Sequence, residues 1–393
     1  MVYRLSNKVQ NYAWGGQTFI PELLGLDNEA KQPFAEIWMG THHRGESEIL
    51  FDGEMTTLSE YIASAPDQIL GAVTAQKFRQ ELPYLFKVLD VQKMLSIQVH
   101  PTKLVAERGF ADENKRGVPI SAKRRNFRDD NHKPEVMIAL TEFWLLHGFK
   151  SAEAIDAILE EVPEFHFLKK SFEEKSIFKL YKTIMELPSM RVNEYLMPLK
   201  IRLEKGNWDK SHPNYWAKLG FEQHTFNGNL DKGIFSIYLY NLVHLQKGEG
   251  IYQAANIPHA YLEGVNIELM ASSDNVLRGG LTYKHVDVPE LLRNLFFESV
   301  TPAILKGKVV GNYELVFPTE APDFEVSMIC LPKEKIYKKQ NNQSPETIIL
   351  LQGKVKINHE TYIKGESCFI PVGTDYQIEA IETAELYKAY VPV

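Results

Sequence analysis

The segment Leu95–Pro101 has the pattern of a β-strand with one polar and one apolar face. Successive side chains of a strand point to opposite sides of the sheet, so Ser96, Gln98 and His100 share one face while three aliphatic residues share the other. Pro101 has no backbone N–H and ends the strand. Such a strand is suited to lining a polar cavity, in which His100 and the Gln98 amide oxygen are candidate metal ligands.

The length and charge of the chain predict an enzyme with two or three domains. It has 393 residues, and acidic residues outnumber basic ones by 51 to 44 for a formal net charge of −7. This balance argues against nucleic acid as the main partner. Residues 1–14 contain no apolar targeting segment, and no apolar run approaches membrane-spanning length. We therefore expect a cytoplasmic protein without a membrane partner.

Only two cysteines occur, Cys330 and Cys368. Two are too few for a disulfide framework or for a cysteine-rich zinc site. We expect each of them to be a buried, reduced thiol.

One short stretch is strongly basic and contains Lys123, Arg124, Arg125 and Arg128. Two aspartates follow it at once, which favours a solvated loop with mixed charge. The alternative is a lid, or a rim that attracts anions.

Helical spacing is concentrated between about residues 151 and 215. Apolar residues recur there at intervals of three and four, as in Ile177, Tyr181 and Ile184. Capping-box patterns begin at Thr57 and at Ser171. We interpret residues 151–215 as a helical insertion between β-rich segments.

After Gly233 the sequence favours strands. Ile234–Leu245 is rich in β-branched and aromatic residues, and Thr347–Leu351 with Val355–Ile357 flanks a Gln-Gly turn, which predicts a hairpin. Gly248–His259 and Gly365–Val372 form a short internal echo that resembles the Gly-then-Pro corners of cupin jelly rolls. The second copy lacks a histidine after its proline, although the echo is short enough for coincidence to be an alternative.

These patterns predict a mainly β fold with a helical insertion and two related cupin-type jelly-roll domains. The catalytic domain is expected to be discontinuous, with residues 1–150 and 216–315. The helical insertion takes 151–215, and a C-terminal jelly roll without metal ligands takes 316–393.

Four candidate metal ligands fall on strand-like segments, namely Gln98, His100, Glu135 and His259. Two imidazoles, a carboxylate and an amide oxygen can hold a borderline divalent metal and leave room for substrate. Taken singly, each histidine is more simply a hydrogen-bonded structural residue. On spacing alone, a metal site is also possible with His42, His43 and His285.

A second polar segment, Glu268–Lys284, is suited to anion chemistry. Glu268 alternates with apolar neighbours and can face the cavity. Arg278 precedes two glycines and can bind phosphate or an enediolate oxygen, or it can form a structural bridge with Asp274 or Glu268. Lys87, Lys133 and Lys284 are further candidates for holding an anion, although each is compatible with a surface position. No phosphate-binding loop or dinucleotide fingerprint occurs, so nucleotide chemistry lacks support.

Several of these segments together resemble type I phosphomannose isomerases and occur in the order of that family. They span most of the first 290 residues and are Gln10–Gly15, Glu36–Gly40, Leu82–Lys87, Leu95–Pro101, Asn131–Glu135, Ile257–Leu262 and Ile267–Thr282.

The resemblance implies an enzyme that interconverts mannose 6-phosphate and fructose 6-phosphate with one Zn²⁺ per chain, expected to act as a monomer. It implies Gln98, His100, Glu135 and His259 as zinc ligands and Arg278 as the active-site arginine. Two positions depart from the family pattern. Thr102 follows His-Pro where the family usually has Asp, and Tyr283 stands where it usually has Pro, which affects the expected pocket wall.

Aldose–ketose isomerisation moves a proton between adjacent carbons through a cis-enediol, and one base can perform both transfers. Glu268 is our preferred base, with Lys133 and His132 as rivals for proton transfer or ring opening. The phosphate is expected against Ser96 and one or more of Lys87, Lys133 and Lys284, and His132 is expected to contact the substrate.

Three alternative functions are consistent with the same residues. The first is another metal-dependent sugar-phosphate isomerase or epimerase, and the second is a non-catalytic metal cupin that binds sugar. The third is an oxygen-activating iron cupin built on His100, His259 and Glu135, although Gln98 as a fourth ligand would occupy one of the positions that such chemistry needs.

Overall fold

A computed structural model describes residues 1–392 and is mainly β, with the helices concentrated in one stretch of the chain. The strands are β1 Tyr3–Leu5, β2 Lys8–Gln10, β3 Glu36–Gly40, β4 Glu48–Phe51, β5 Glu54–Thr57, β6 Tyr84–Val91, β7 Ile97–Val99, β8 Glu135–Ala139, β9 Phe143–Phe149, β10 Tyr240–Leu245, β11 Gly250–Gln253, β12 His259–Ala271, β13 Leu277–Gly280, β14 Lys308–Val310, β15 Glu314–Phe317, β16 Glu325–Leu331, β17 Ile336–Lys339, β18 Glu346–Gln352, β19 Lys354–Ile357, β20 Glu360–Ile363, β21 Ser367–Ile370, β22 Tyr376–Ala380 and β23 Ala384–Tyr390. The helices are α1 Phe19–Leu24, α2 Leu58–Ser64, α3 Pro66–Ile69, α4 Ala72–Lys77, α5 Lys103–Lys115, α6 Ala152–Glu161, α7 Ile177–Glu186, α8 Ser189–Glu204, α9 Pro213–Gln223, α10 Gly233–Leu239 and α11 Val288–Asn294, with a 3₁₀ helix at Pro163–Phe172.

The long strand β12 organises the sheet that carries the candidate site. Its first residues pair with β9 and β7, whereas its second half pairs with β6 and β8. Gly264 lies where the partners change, with φ 130°, and a Cβ there would lie 2.6 Å from the Glu142 carbonyl oxygen. Glycine at this point lets the single strand β12 pair with β7 and β9 at one end and with β6 and β8 at the other.

The helices cover the apolar back of β7. Ile97 and Val99 are buried in one core with residues of α7, α8 and the 3₁₀ helix, whereas Gln98 between them is half-buried. This alternation confirms the predicted two faces of the strand. The helices pack against the apolar face of β7, so its polar face stays directed toward the candidate site.

Two local secondary-structure predictions, one within residues 151–215 and one after them, are wrong. Ile234–Leu245 is not one strand, because Gly233–Leu239 is helical and only Tyr240–Leu245 is extended. The sequence of α10 is apolar on nearly every side, and all of its residues are buried, so composition did not distinguish a buried helix from a strand. The capping box at Ser171 is also wrong, because Ser176 caps α7 by accepting a hydrogen bond from the Lys179 N–H. The box at Thr57 is confirmed.

The C-terminal region consists of a seven-stranded and a four-stranded sheet with a shared apolar core. The predicted hairpin is wrong, because β18 lies in the larger sheet and β19 in the smaller one. Gly353, with φ 85°, joins the two sheets instead. The seven-stranded sheet also includes β1, β14 and part of β15, which come from outside residues 316–393.

The two cysteines differ in exposure. Cys368 is buried as expected, but Cys330 is exposed, so the expectation of a buried thiol there is wrong. Among residues 1–392, no helix is both long and apolar enough to cross a membrane.

Candidate metal and sugar-phosphate site

Three of the predicted ligands meet inside the β-structure. The Nε2 atoms of His100 and His259 lie 3.3 Å and 3.4 Å from opposite oxygens of the Glu135 carboxylate. All three residues are buried, and their ligand atoms lie within 4.8 Å of one another. They arrive from the end of β7, the start of β8 and the start of β12, so the sheet brings distant segments together.

Hydrogen bonds at the far side of both rings prepare the two histidines for a metal. His100 Nδ1 lies 3.0 Å from the Asn275 carbonyl oxygen, and His259 Nδ1 lies 3.1 Å from that of Ile257. A carbonyl oxygen can only accept, so each Nδ1 carries a proton and donates it. Each Nε2 then has a free lone pair, and both Nε2 atoms are buried without a hydrogen-bond partner among residues 1–392. A metal-binding histidine needs this arrangement.

The local charges keep this group in its metal-binding form. Burial lowers the pKa of His100 to about 4, so its ring stays neutral near pH 7. Burial alone would raise the pKa of Glu135, but the Lys133 ammonium group holds it well below its ordinary value. Lys133 Nζ lies 3.1 Å from Glu135 Oε1. The carboxylate is therefore ionised.

Gln98 and Ser96 lie beside this group on or before β7. Gln98 is opposite His259 on β12 and opposite Arg278 on β13. Ser96 is half-buried and precedes the first residue of β7. The register therefore places Gln98 between His259 and Arg278 across the sheet.

A line of buried charges runs along the neighbouring strands. Lys87 on β6 lies opposite Glu268 on β12, with its Nζ 2.9 Å from Glu268 Oε2 and 3.5 Å from Glu36 Oε2. Burial raises the pKa of Glu268, and Lys87 opposes that rise. The two carboxylates raise the pKa of Lys87 against the effect of burial. Lys87 is thus not a surface lysine, and it already serves as partner to two acids. Sequence reasoning missed Glu36, although it lies in one of the stretches that carry the family resemblance.

Three further polar residues in this region were also missed. Gln253 lies opposite Glu135, and His147 lies opposite His259. Tyr261 is two residues after His259 on β12, and Glu268 and Glu135 add to the effect of burial in raising its pKa. The side-chain nitrogen and oxygen atoms of all three are buried without a hydrogen-bond partner among residues 1–392, as in sites built for a polar ligand. The two-residue spacing of His259 and Tyr261 was the available signal.

Arg278 and Lys284 lie at the rim of this region. Burial and the nearby Arg128 guanidinium lower the pKa of Arg278, and burial and Arg278 lower that of Lys284. Arg278 Nε is buried without a hydrogen-bond partner among residues 1–392. The alternative in which Arg278 bridges to Asp274 or Glu268 is wrong, since those carboxylates pair with Arg44 and Lys87.

His132 has a protein partner that the sequence did not predict. Its Nε2 lies 2.8 Å from the carboxylate of Asp323, a buried residue just before β16. One ring nitrogen of His132 is therefore committed to the C-terminal region. The sequence offered no signal for this contact, because the two residues are far apart in the chain.

A second group of two histidines and a carboxylate includes Asp274, which directly precedes the Asn275 that binds His100. The Nε2 atoms of His42 and His43 lie 3.4 Å and 3.9 Å from the two carboxylate oxygens of Asp274. Arg44 also binds Asp274 through its guanidinium group. These residues line a cavity of about 700 Å³ together with Arg128. His285 belongs to neither group.

The chain is similar to known proteins over nearly its whole length. It is 38% identical to mannose-6-phosphate isomerase of Escherichia coli (strain K12), with 93% of this chain and 94% of that protein covered. The chain belongs to the type I phosphomannose isomerase family. The family model for the type I catalytic domain matches residues 2–152.

More distant relatives and solved structures agree with this family. Mannose-6-phosphate isomerase of Homo sapiens is 34% identical, with 90% of this chain and 88% of that protein covered. A crystal structure of mannose 6-phosphate isomerase from Salmonella typhimurium, bound to its substrate and a zinc atom, superposes with a TM-score of 0.90. That enzyme is 35% identical, and 100% of both chains is covered. The resemblance seen in the sequence is confirmed at the level of the family.

Proposed function

We propose that this chain is a zinc-dependent isomerase that interconverts mannose 6-phosphate and fructose 6-phosphate through a cis-enediol. The observation that carries the proposal is the buried His100–Glu135–His259 group, with both Nε2 lone pairs free, close to the buried ion pair of Lys87 and Glu268. The relatives that cover nearly the whole chain are mannose-6-phosphate isomerases.

The protein residues fit a zinc ion. His100, His259 and Glu135 would hold it, and Gln98 is the expected fourth ligand because it lies opposite His259. Only Glu135 brings a negative charge, so the group would keep a net positive charge. When bound, zinc would supply Lewis-acid polarisation of the substrate oxygens.

Glu268 is the proposed base for the proton transfer between C1 and C2. Burial raises its pKa, which brings a carboxylate closer to the range that suits a base at neutral pH. Lys87 at 2.9 Å opposes this rise and favours the ionised form that a base needs. Lys133 remains the rival, since its Nζ lies beside Glu135.

Cationic side chains would stabilise the negative charge that develops on the C1 and C2 oxygens of the substrate. Arg278 has a buried Nε without a protein partner among residues 1–392 and lies opposite Gln98. Lys284 at the rim and Ser96 before β7 are the proposed contacts of the phosphate. Lys87 is a weaker candidate for that role, because two carboxylates already surround it. His132 is a proposed substrate contact through the ring nitrogen that does not bind Asp323.

A coupled assay tests the proposal directly. Turnover of mannose 6-phosphate is measured in the protein as purified, after dialysis against a chelator, and after Zn²⁺ is added back. We expect activity to disappear on chelation and to return with zinc. A zinc-loaded protein that binds the sugar phosphate without converting it would instead support the non-catalytic cupin, and oxygen uptake with Fe²⁺ would support the iron enzyme.

The finer architecture is also proposed. We infer two related cupin-type domains, with residues 1–150 and 216–315 as the catalytic unit, 151–215 as a helical insertion and 316–393 as the C-terminal unit. The paired sheets around one core in the C-terminal region support a jelly roll there. Most of α9 and all of α10 lie beyond residue 215, and β1 joins the C-terminal sheet, so the structural units overlap these boundaries. A monomeric, cytoplasmic protein without a nucleic-acid partner remains the expectation from the sequence.

A further inference from the structure

Three buried residues form a row across strands β3, β6 and β12. Trp38 on β3 lies opposite Lys87 on β6, and Lys87 lies opposite Glu268 on β12. Glu36 precedes Trp38 by two residues on β3, so its side chain points to the same face of the sheet. All four residues are buried. The register therefore places the Glu36 carboxylate on the face that carries Lys87 and the proposed base.

The Glu36 carboxylate joins this row through one oxygen atom. Glu36 Oε2 accepts a hydrogen bond from the Trp38 indole N–H and lies 3.5 Å from Lys87 Nζ. Lys87 Nζ also lies 5.4 Å from the centre of the Trp38 ring. The indole nitrogen and the ammonium group can only donate, so both contacts favour an ionised carboxylate. Trp38 thereby holds Glu36 at a set position beside Lys87.

Lys87 has one more carboxylate partner than charge balance requires. Its Nζ lies 2.9 Å from Glu268 Oε2 and 3.5 Å from Glu36 Oε2, so one positive and two negative charges are buried together. Burial lowers the pKa of Lys87, whereas Glu268 and Glu36 raise it. Burial raises the pKa of Glu268, and Glu36 adds to that rise. Glu36 therefore keeps the lysine charged and makes its neighbour a stronger base.

The second carboxylate becomes important when Glu268 changes its charge. In the proposed reaction Glu268 takes the proton from C2 of mannose 6-phosphate, and the electron pair of that C–H bond becomes the C1–C2 double bond of the enediol. Negative charge develops on the C1 oxygen, and the proton later returns from Glu268 to C1. While Glu268 carries the proton it is neutral, which would leave Lys87 as a buried ammonium group without an anionic partner. Glu36 supplies that partner.

We propose that Glu36 is a positioning residue for the isomerisation, which holds Lys87 charged and in place while Glu268 carries the substrate proton. This inference deepens the proposed function and rests on it, because it takes Glu268 as the base. Glu36 acts through Lys87 and needs no contact with the substrate. Its loss should therefore reduce kcat and leave KM nearly unchanged.

The C-terminal region contains a similar arrangement that serves as a matched control. Lys388 is buried there, with its Nζ 2.7 Å from Glu314 and 3.8 Å from Glu346. Glu346 accepts a hydrogen bond from the Tyr376 hydroxyl at 2.6 Å, so an aromatic side chain holds it, as one holds Glu36. Glu346 and Lys388 lie in the seven-stranded sheet, whereas the row beside Glu36 lies in the ten-stranded sheet.

The test compares Glu36→Gln with Glu346→Gln, since each removes one negative charge beside a buried lysine. For Glu36→Gln, we expect kcat for mannose 6-phosphate to fall about tenfold, the factor that one charged contact commonly contributes, with KM changed by less than about twofold. Glu346→Gln should leave both constants unchanged. A general loss of stability would appear in the melting temperature of both variants, and both should retain one zinc per chain. An equal loss of kcat in the two variants would overturn the proposal.

Glu36→Asp separates the charge from the shape of the side chain and provides a second variant if Glu36→Gln does not fold. It retains the carboxylate on a shorter side chain, so a kcat between those of Glu36→Gln and the unmodified protein is expected. If folded Glu36→Asp were no more active than folded Glu36→Gln, the charge of Glu36 would not be what the reaction requires, and the proposal would fail. Full activity in folded Glu36→Gln, or full loss in Glu36→Asp, would also overturn it.

A double variant tests whether Glu36 acts through the base. In protein that already carries Glu268→Gln, no carboxylate changes its charge beside Lys87, so adding Glu36→Gln should reduce the residual kcat by less than about twofold. Residual turnover is measured in the coupled assay at high enzyme concentration. A further tenfold loss would give Glu36 an independent role and contradict the proposal.

The unmodified protein and Glu268→Gln separate this proposal from the proposed function. If the zinc-loaded unmodified protein does not convert mannose 6-phosphate, the proposed function fails, and the role of Glu36 fails with it. If the unmodified protein is active and Glu268→Gln is equally active, the base is wrongly assigned and Glu36 has no such role. If Glu268→Gln loses activity while folded Glu36→Gln keeps its full kcat, only the role of Glu36 fails.

Discussion

Two groups in this molecule have nearly the same composition, yet only one is prepared for a metal. His100, Glu135 and His259 form the first, and His42, His43 and Asp274 form the second, each with ligand atoms within 4.8 Å of one another. A cation contacts the carboxylate in both groups, Lys133 in the first and Arg44 in the second. Neither residue type nor distance therefore separates them.

The hydrogen bond at the other ring nitrogen does separate them. In the first group Nδ1 of each histidine faces a carbonyl oxygen, so Nε2 is free to bind a metal. His42 Nδ1 instead accepts from the Arg44 N–H at 3.3 Å, which places the proton of the neutral ring on Nε2, toward Asp274. The His43 side chain is 75% exposed and has no such support. The orientation of the ligands by their second contacts decides which group can bind metal.

The largest expected effect comes from removing a histidine of the first group, and the matching change in the second group is its control. His259→Ala should lose its zinc and reduce kcat by on the order of 1000-fold or more, because the ligand set is incomplete. His42→Ala should retain one zinc per chain. Metal analysis after dialysis and the coupled assay measure both results, and loss of zinc from His42→Ala would reverse the assignment.

Glu268, next to the first group, should affect the rate of isomerisation but not the binding of zinc. Glu268→Gln is expected to lower kcat by roughly 100- to 10,000-fold, the usual contribution of a general base, with zinc content unchanged. Glu135→Gln should instead lose zinc. The proposed division of roles would not stand if Glu268→Gln kept full activity.

The pH dependence of the metal-free protein should distinguish the buried rings from ordinary histidines. The pKa of His100 and of His147 is about 4 in the folded protein, below the unfolded value. As the pH falls from about 6.5 to about 4, the unfolded chain binds protons that these folded rings do not, so each ring lowers the free energy of unfolding by about 1.4 kcal/mol per pH unit.

NMR titration of the imidazole signals in chelated protein measures this directly. Both rings should remain mostly neutral at about pH 5.3, midway between the folded pKa of about 4 and the ordinary value of about 6.5. The Asp274 carboxyl should behave differently, because His42 and Arg44 lower its pKa and its ion pair persists until the pH falls below the ordinary range of an aspartate. A His100 ring that titrates with an ordinary histidine pKa would contradict the buried, neutral state.

The smallest effect is expected from Arg44→Gln. This change removes the cation from Asp274 but leaves the backbone N–H that fixes the His42 tautomer. Zinc stoichiometry should therefore stay at one per chain. A second bound zinc in this variant would show that the Arg44 guanidinium, and not the tautomer, keeps metal away from the second group.

Much of the site could be predicted from local patterns. The alternation around Gln98 indicated a polar strand face, and the order of the motifs along the chain indicated the family. Glu36, Gln253, Tyr261 and Asp323 were not found, because only contacts between segments that are distant in sequence bring them to this region. The distinction between the two groups also depended on the tertiary structure, since spacing alone favoured both equally.

The sequence by itself determined the faces of short elements, because side-chain direction follows from the two-residue and 3.6-residue repeats of the backbone. It determined β7 and the Thr57 cap in this way, and it failed at α10, where burial on all sides removes the periodic signal. Only the tertiary structure decided which histidines face a carbonyl oxygen and which cations lack a partner. Those properties depend on contacts such as Asn275 with His100 and Arg128, which long-range pairing of the strands and loops creates.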